Sequence, residues 1–203
     1  MNNSKTKFLS TRNIVYLAIL TALLVVLNLL STVFKIITNV NLTLIPIVLG
    51  ALMLGWRGGL ILGTISGVMT YVFGVTGVDP FTNFLFVEHP FLTFLTCVLK
   101  TAGAGTLGGF VYGVIKNKNK LVATFVASAI VPVVNTGVFI LGALTMYDAI
   151  SVLATGEGVG VIYFLIVICA GVNFLIEFAI NLIVAPAIRT VVGVMEKSVF
   201  KDR

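Results

Sequence analysis

The sequence is poor in the side chains that enzymes use. Its 203 residues include seven acidic groups, one histidine and two cysteines, and only 10% are charged. The lone His89 stands beside Glu88 with no second ligand nearby, so no metal centre is expected. There is no glycine-rich phosphate loop ending in Lys-Ser/Thr, no HExxH, no GxSxG and no paired-aspartate motif of the kind membrane phosphotransferases use. Neither catalysis nor ATP hydrolysis is therefore expected of this chain, and nothing in it calls for a cofactor. Cys97 and Cys169 each lie inside apolar runs, which argues against a disulfide framework or a metal site and for small buried packing residues. The formal charge is +6, but the basic residues occupy short hydrophilic gaps and the two ends, not a patch interleaved with aromatics. No nucleic-acid partner is expected.

What the chain does have is apolar length. It is 59% hydrophobic, with a mean hydropathy of +1.15, more apolar surface than a soluble fold of this size hides. A span of hydrocarbon takes about 20 apolar residues, and the pattern predicts a single all-α domain over 1–203, a polytopic membrane protein with six transmembrane helices at about 14–34, 42–54, 60–75, 91–115, 121–146 and 161–194. The first run begins after Arg12 and reaches Phe34, longer than a signal-peptide core and without a small-residue cleavage site, so it is read as the first helix. Lys35, Asn39 and Asn41 mark the gap after it, and Gly55-Trp56-Arg57-Gly58-Gly59 predicts a tight hairpin between the second and third helices. Thr76 to Pro90 reads as a loop with embedded aromatics, and Asp148 to Gly160 as a second irregular stretch. Pro132 is expected to bend the fifth helix, and Pro186 to break the sixth.

Cytoplasmic loops carry an excess of lysine and arginine near helix ends. With both termini cytoplasmic, Lys5, Lys7, Arg12, Arg57, Lys116, Lys118, Lys120, Arg189, Lys197, Lys201 and Arg203 all fall inside, while Asp79, Glu88, Asp148 and Glu157 fall outside. An odd number of spans breaks this segregation.

A few polar residues interrupt the spans. Lys100 lies about nine residues into the fourth helix, roughly 14 Å deep, where a cation costs about 2.5–3.5 kcal/mol on insertion scales and needs a partner or a polar cavity. Glu177 in the last helix is the acidic residue within a span. Two readings are open: a Lys100–Glu177 ion pair holding two helices, or a cavity in which Lys100 meets an anionic substrate group and Glu177 tunes it. Asn135 and Thr136 follow Pro132, and Asn173 and Asn181 flank Glu177 at four-residue spacing on one helical face. Three helices thus offer polar groups at similar depth. In the outer loop, Asp79, Asn83, Glu88 and His89, with Phe81, Phe84 and Phe86, are candidates for a lid, or the aromatics mark the membrane interface. Small residues recur at four-residue spacing: Ala18 and Ala22; Gly59, Gly63 and Gly67; Gly105, Gly109 and Gly113. Such strips serve close internal packing or the docking of another membrane subunit.

The order of these features resembles the substrate-binding S components of energy-coupling factor (ECF) vitamin transporters. The residues that carry the resemblance are Ala18 to Ala22, Leu44-Ile-Pro-Ile-Val-Leu-Gly-Ala-Leu-Met-Leu-Gly55 with Gly59-Leu-Ile-Leu-Gly63, Asn135-Thr136, and Asn173-Phe-Leu-Ile-Glu177. The resemblance implies a vitamin-binding subunit of the cell membrane that joins a transmembrane coupling subunit and two cytoplasmic ATPases. It implies that Ala18 and Ala22 contact the coupling subunit, and that the vitamin is held on the outer side by loops and the last three helices, with Lys100, Asn135, Thr136, Asn173, Glu177 and Asn83 as the binding residues. The Asn-Thr and Asn-x-x-x-Glu patterns look most like the pantothenate-type members; folate, hydroxymethylpyrimidine, riboflavin and cobalamin are the other vitamins in view. Lysine stands where such proteins carry arginine in the fourth helix, which makes it a point charge rather than a bidentate clamp. The competing class, an independent ion-coupled carrier, predicts internal repeats around broken helices, and the two halves show no convincing repeat.

Overall fold

The computed structural model describes residues 10–34 and 42–201. Lys5, Lys7, Lys35, Asn39, Asn41 and Arg203, used above for topology, lie outside the described residues. Those described form helices and no strands. In chain order they are α1 (Thr11–Phe34), α2 (Leu44–Val75), α3 (Pro80–Glu88), α4 (Pro90–Ile115), α5 (Lys120–Leu144), α6 (Tyr147–Gly156) and α7 (Val161–Tyr163), which runs through a π-helical stretch (Phe164–Gly171) into α8 (Val172–Lys201).

Five helical elements among the described residues are long and apolar enough to cross a membrane, not the six expected. The difference lies in α2. Its 32 residues are one helical element in which Gly55 alone leaves helical geometry, at φ 73° and ψ −168°, a conformation open to glycine and costly for residues with a Cβ. The chain folds back there. The hydroxyls of Thr43 and Ser66 are 3.1 Å apart although 23 residues separate them, a distance of about 34 Å along a straight helix. Glycines let the two arms touch: a Cβ on Gly58 would overlap the Gly50 carbonyl. The first arm, 44–54, reaches only about 16 Å, short of a hydrocarbon core of about 30 Å, whereas 56–75 is long enough. A single glycine makes the reversal that the sequence reading assigns to a five-residue gap.

Two stretches read as irregular are helical. Asp79 is extended and accepts a hydrogen bond at Oδ1 from the Thr82 N–H at 3.1 Å, with Pro80 in the first turn, which starts α3 as an N-cap followed by proline does. Tyr147 to Gly156 likewise forms α6. The last helix does not break at Pro186; its irregularity comes earlier, at the π-helical stretch.

The second arm of α2 packs antiparallel on α4 at the closest approach the backbone permits. A Cβ on Gly59 would overlap the Gly105 carbonyl, one on Gly63 the Thr101 carbonyl, and one on Gly67 the Cys97 carbonyl. Thr101 Oγ1 donates to the Gly63 carbonyl at 2.6 Å across this seam. Gly109 meets the Trp56 backbone, while Gly113 faces open space. Four of these glycines plus Gly105 therefore serve internal packing. Ala18 and Ala22 do the opposite. They lie on the exposed side of α1, whose buried side carries Leu20 and Leu24.

Two hydrophobic cores result. One joins α1, α2, α4, α5 and α8 through residues such as Leu24, Ile47, Leu62, Tyr112, Ala127 and Ile188. The other joins α3, the end of α5, α6 and the π-helical stretch through Leu85, Met146, Ile150 and Leu165.

Candidate functional site

Between the two cores the helices leave a gap. Along α5, Ala123 to Val131 belong to the first core and Ala143 to the second, and Asn135, Thr136 and Phe139 between them line a cavity of about 390 Å³. α4 contributes Thr93, Thr96, Cys97 and Lys100; the π-helical stretch and α8 contribute Ile168, Cys169, Asn173 and Glu177. α3 and its N-cap close one side with Asp79, Phe81 and Leu85. Five of the six residues named from sequence as binding residues thus border one space. Asn83 does not. Its Nδ2 donates to the Gly74 carbonyl at 2.8 Å and closes the corner between α2 and α3.

Lys100 is the cationic side chain among the described residues lining the cavity. Its Nζ lies 5.3 Å from the centroid of the Phe139 ring, a cation–π contact that holds the ammonium without neutralising it. The packing of Thr96 against Gly142 brings α4 and α5 close enough for this contact. Glu177 and Asn135 are each 6% exposed. The Asn135 Oδ1 has no hydrogen-bond partner among the described residues. Asn173 Nδ2 donates to the Cys169 carbonyl at 2.9 Å, inside the π-helical stretch, where the helical ladder is re-registered and side chains can take carbonyls. That bond fixes the amide plane and takes one of its two N–H donors, so the second N–H and the oxygen remain. Asn181, one turn beyond Glu177, is fully buried below the cavity, with Nδ2 on the Glu177 carbonyl at 2.8 Å.

Several lining residues escape the sequence reading. Asn28 and Ser31 of α1 line the cavity; two polar residues three apart near the end of a mostly apolar helix are the signal. Phe139 carried none, because a phenylalanine in a span is ordinary. The two cysteines are free and border the cavity, Cys97 buried as expected and Cys169 half-buried. Away from the cavity, His89 Nε2 lies 2.9 and 3.0 Å from the two oxygens of Asp148 and ties the α3–α4 corner to α6. This hydrogen bond lowers the Asp148 pKa below its ordinary 3.8. No group of three or more potential metal ligands occurs among the described residues.

The arrangement suits capture of a small polar molecule. A family model described as ECF transporter, substrate-specific component, matches residues 12–189. No curated protein and no solved structure gives a significant match. The matched region contains every residue of the cavity and all but the outermost residues of the helices long and apolar enough to cross a membrane. This is a family of transporter components, not of enzymes: multi-pass membrane subunits that associate with the ECF module and take a small-molecule substrate. The chain belongs to the family of substrate-specific components of ECF transporters.

Proposed function

We propose that this subunit captures pantothenate from outside the cell and presents it for ATP-driven uptake by a transmembrane coupling subunit and two cytoplasmic ATPases. The observation that carries the reading is Lys100, one ammonium over an aromatic face and the cation among the described lining residues, in a cavity that also presents amides, hydroxyls, two thiols, apolar groups and the carboxylates of Asp79, Glu157 and Glu177. A small carboxylate satisfies it. The volume, about 390 Å³, stands near the lower end of ligand pockets, about 300–1,000 Å³, which favours pantothenate over a corrinoid.

The orientation proposed has both termini cytoplasmic, with the short first arm of α2 counted as a sixth segment that enters the membrane without the length to cross it alone. The reversal at Gly55 supports it, because it brings Trp56 and Arg57 to the end of α4 where Lys116 and Lys118 stand. Outward-facing Ala18 and Ala22 support α1 as a docking face for the coupling subunit. The test is calorimetric titration of the purified chain with a vitamin panel. Saturable one-to-one binding of pantothenate is expected, and stronger binding of another vitamin with none of pantothenate refutes the assignment.

A further inference from the structure

The ammonium of Lys100 shares its cavity with the carboxylates of Asp79, Glu157 and Glu177. Lysine is a compact charge on a flexible four-carbon stem, and an ammonium paired with a neighbouring carboxylate has little left for a ligand anion. Among the described residues no ion pair joins Lys100 to any of the three. Its Nζ stands instead 5.3 Å from the centroid of the Phe139 ring. An aromatic face attracts an ammonium through its quadrupole and removes none of its charge. It also covers only one side of a group that carries three N–H donors, so donors remain for a second partner.

The ring is itself held. Phe139 is half-buried on α5 and packs against the second core. Phe81 of α3 packs against the same core, and its ring lies against Phe139 with centroids 5.9 Å apart and planes at 58°. A Cβ on Gly142 would overlap the Thr96 side chain. That tight approach of α4 and α5 comes one turn from Phe139 along α5 and one turn from Lys100 along α4, and it sets how far the ring stands from the stem it faces. Phe81, Phe139 and Lys100 therefore form a row from α3 through α5 to α4, and all three border the cavity.

We propose that Phe139 is the residue that positions Lys100 for the ligand's carboxylate, and that Phe81 of α3 holds Phe139 in that role. This positioning role rests on the proposed function, in which Lys100 is the anion-binding group, and adds why the ammonium stays available: a ring holds it, not a carboxylate. Neither phenylalanine needs to touch the ligand to do so.

The experiment is a double-mutant cycle on the purified chain, with pantothenate titrated calorimetrically into the unaltered chain, Phe139→Leu, Lys100→Met and the two combined. Phe139→Leu is expected to weaken binding by about tenfold, and to change it by less than about twofold once Lys100 is replaced. A ring that only shapes the cavity weakens binding in both backgrounds. That result overturns the proposal, as does an affinity of Phe139→Leu within about twofold of the unaltered chain. Phe139→Tyr keeps the aromatic face and is expected to bind within about threefold of the unaltered chain; a loss equal to that of Phe139→Leu overturns the role of the ring. Phe81→Leu is expected to lower affinity about threefold, again only while Lys100 is present, and no effect overturns the part given to α3. If the thermal unfolding midpoint shows that Phe139→Leu does not fold, the unaltered chain decides by nuclear magnetic resonance with isotope-labelled lysine. The Lys100 ε-methylene signal, identified by its absence in Lys100→Met, is expected to be displaced by the ring current and to stay displaced when pantothenate binds. A signal at the position of an exposed lysine in either state overturns the proposal. If Lys100→Met leaves pantothenate binding unchanged, the proposed function loses its carrying group and the positioning role falls with it; if Lys100→Met weakens binding and Phe139→Leu does not, the positioning role alone fails. If pantothenate does not bind, the tightest ligand of the vitamin panel takes its place in the cycle, and a chain that binds nothing overturns both.

Discussion

Replacing Lys100 by methionine separates what the cation does to the fold from what it does to binding. Methionine keeps much of the stem and its contact with Phe139 but removes the charge. Lys100 lies ten residues after the start of α4 at Pro90, about 15 Å along a helix, where a cation costs about 2.5–3.5 kcal/mol on insertion scales. The Phe139 face returns about 0.5–2 kcal/mol of that. The ligand-free variant is therefore expected to be more stable by on the order of 1 kcal/mol, a melting midpoint higher by about 2–4 °C for a chain of this size. Binding moves the other way. A hydrogen bond to a charged group contributes about 1.5–3 kcal/mol, so pantothenate affinity is expected to fall by about tenfold to a hundredfold. Thermal unfolding in detergent and titration calorimetry, both with and without ligand, read the two effects. An affinity within about twofold of the unaltered chain, together with an unchanged ligand-free midpoint, refutes the assignment of Lys100 as the anion-binding group.

Gly63→Ala forces a Cβ against the Thr101 backbone, where overpacking costs about 1–3 kcal/mol or more, so its unfolding midpoint should drop; Gly113→Ala, with open space at the same spacing, should leave it unchanged, and equal effects of the two contradict the α2–α4 seam. Ala18→Leu and Ala22→Leu should keep ligand affinity and lose co-purification with the coupling subunit, and loss of ligand binding instead argues against an outward docking face. The Asp148 pKa is lowered by its hydrogen bond from His89, so the stability it contributes is present above the ordinary carboxylate value of 3.8 and disappears as pH falls through the lower folded value. The difference in melting midpoint between the unaltered chain and Asp148→Asn should accordingly shrink toward zero as pH drops below about 3.8; an offset that stays constant to lower pH shows that the pair contributes nothing through ionisation.

How much of this was legible beforehand follows from the range over which each signal acts. Apolar runs of helical length are a property of neighbouring residues, and so are the basic gaps between them; both survive without knowledge of the fold, which is why α1, α4 and α5 fall close to their expected bounds. Lys100, Asn135, Thr136, Asn173 and Glu177 stood out for the same reason, since a polar side chain in an apolar run is costly wherever the helix goes. Asn83 lies outside the cavity lining and its amide closes a local corner; a loop asparagine carries no comparable cost and so is a weaker pointer to a site. The caps of α3 were written in Asp79 and Pro80 but were hidden under the reading of a polar loop.

Other features arise from residues far apart in the chain. Whether a glycine strip packs inward or faces a partner is decided by what lies opposite it: Gly63 meets Thr101, while Gly113 meets nothing. That Lys100 rests on Phe139 depends on the α4–α5 approach, and that an Asn173 N–H is taken by the Cys169 carbonyl depends on a π-helical stretch no periodicity announced. The cavity itself is a gap between two cores that no single segment encodes. Hydropathy, a local quantity, established a membrane protein and its polar exceptions; the ordering of those exceptions around one space required the helices to be brought together.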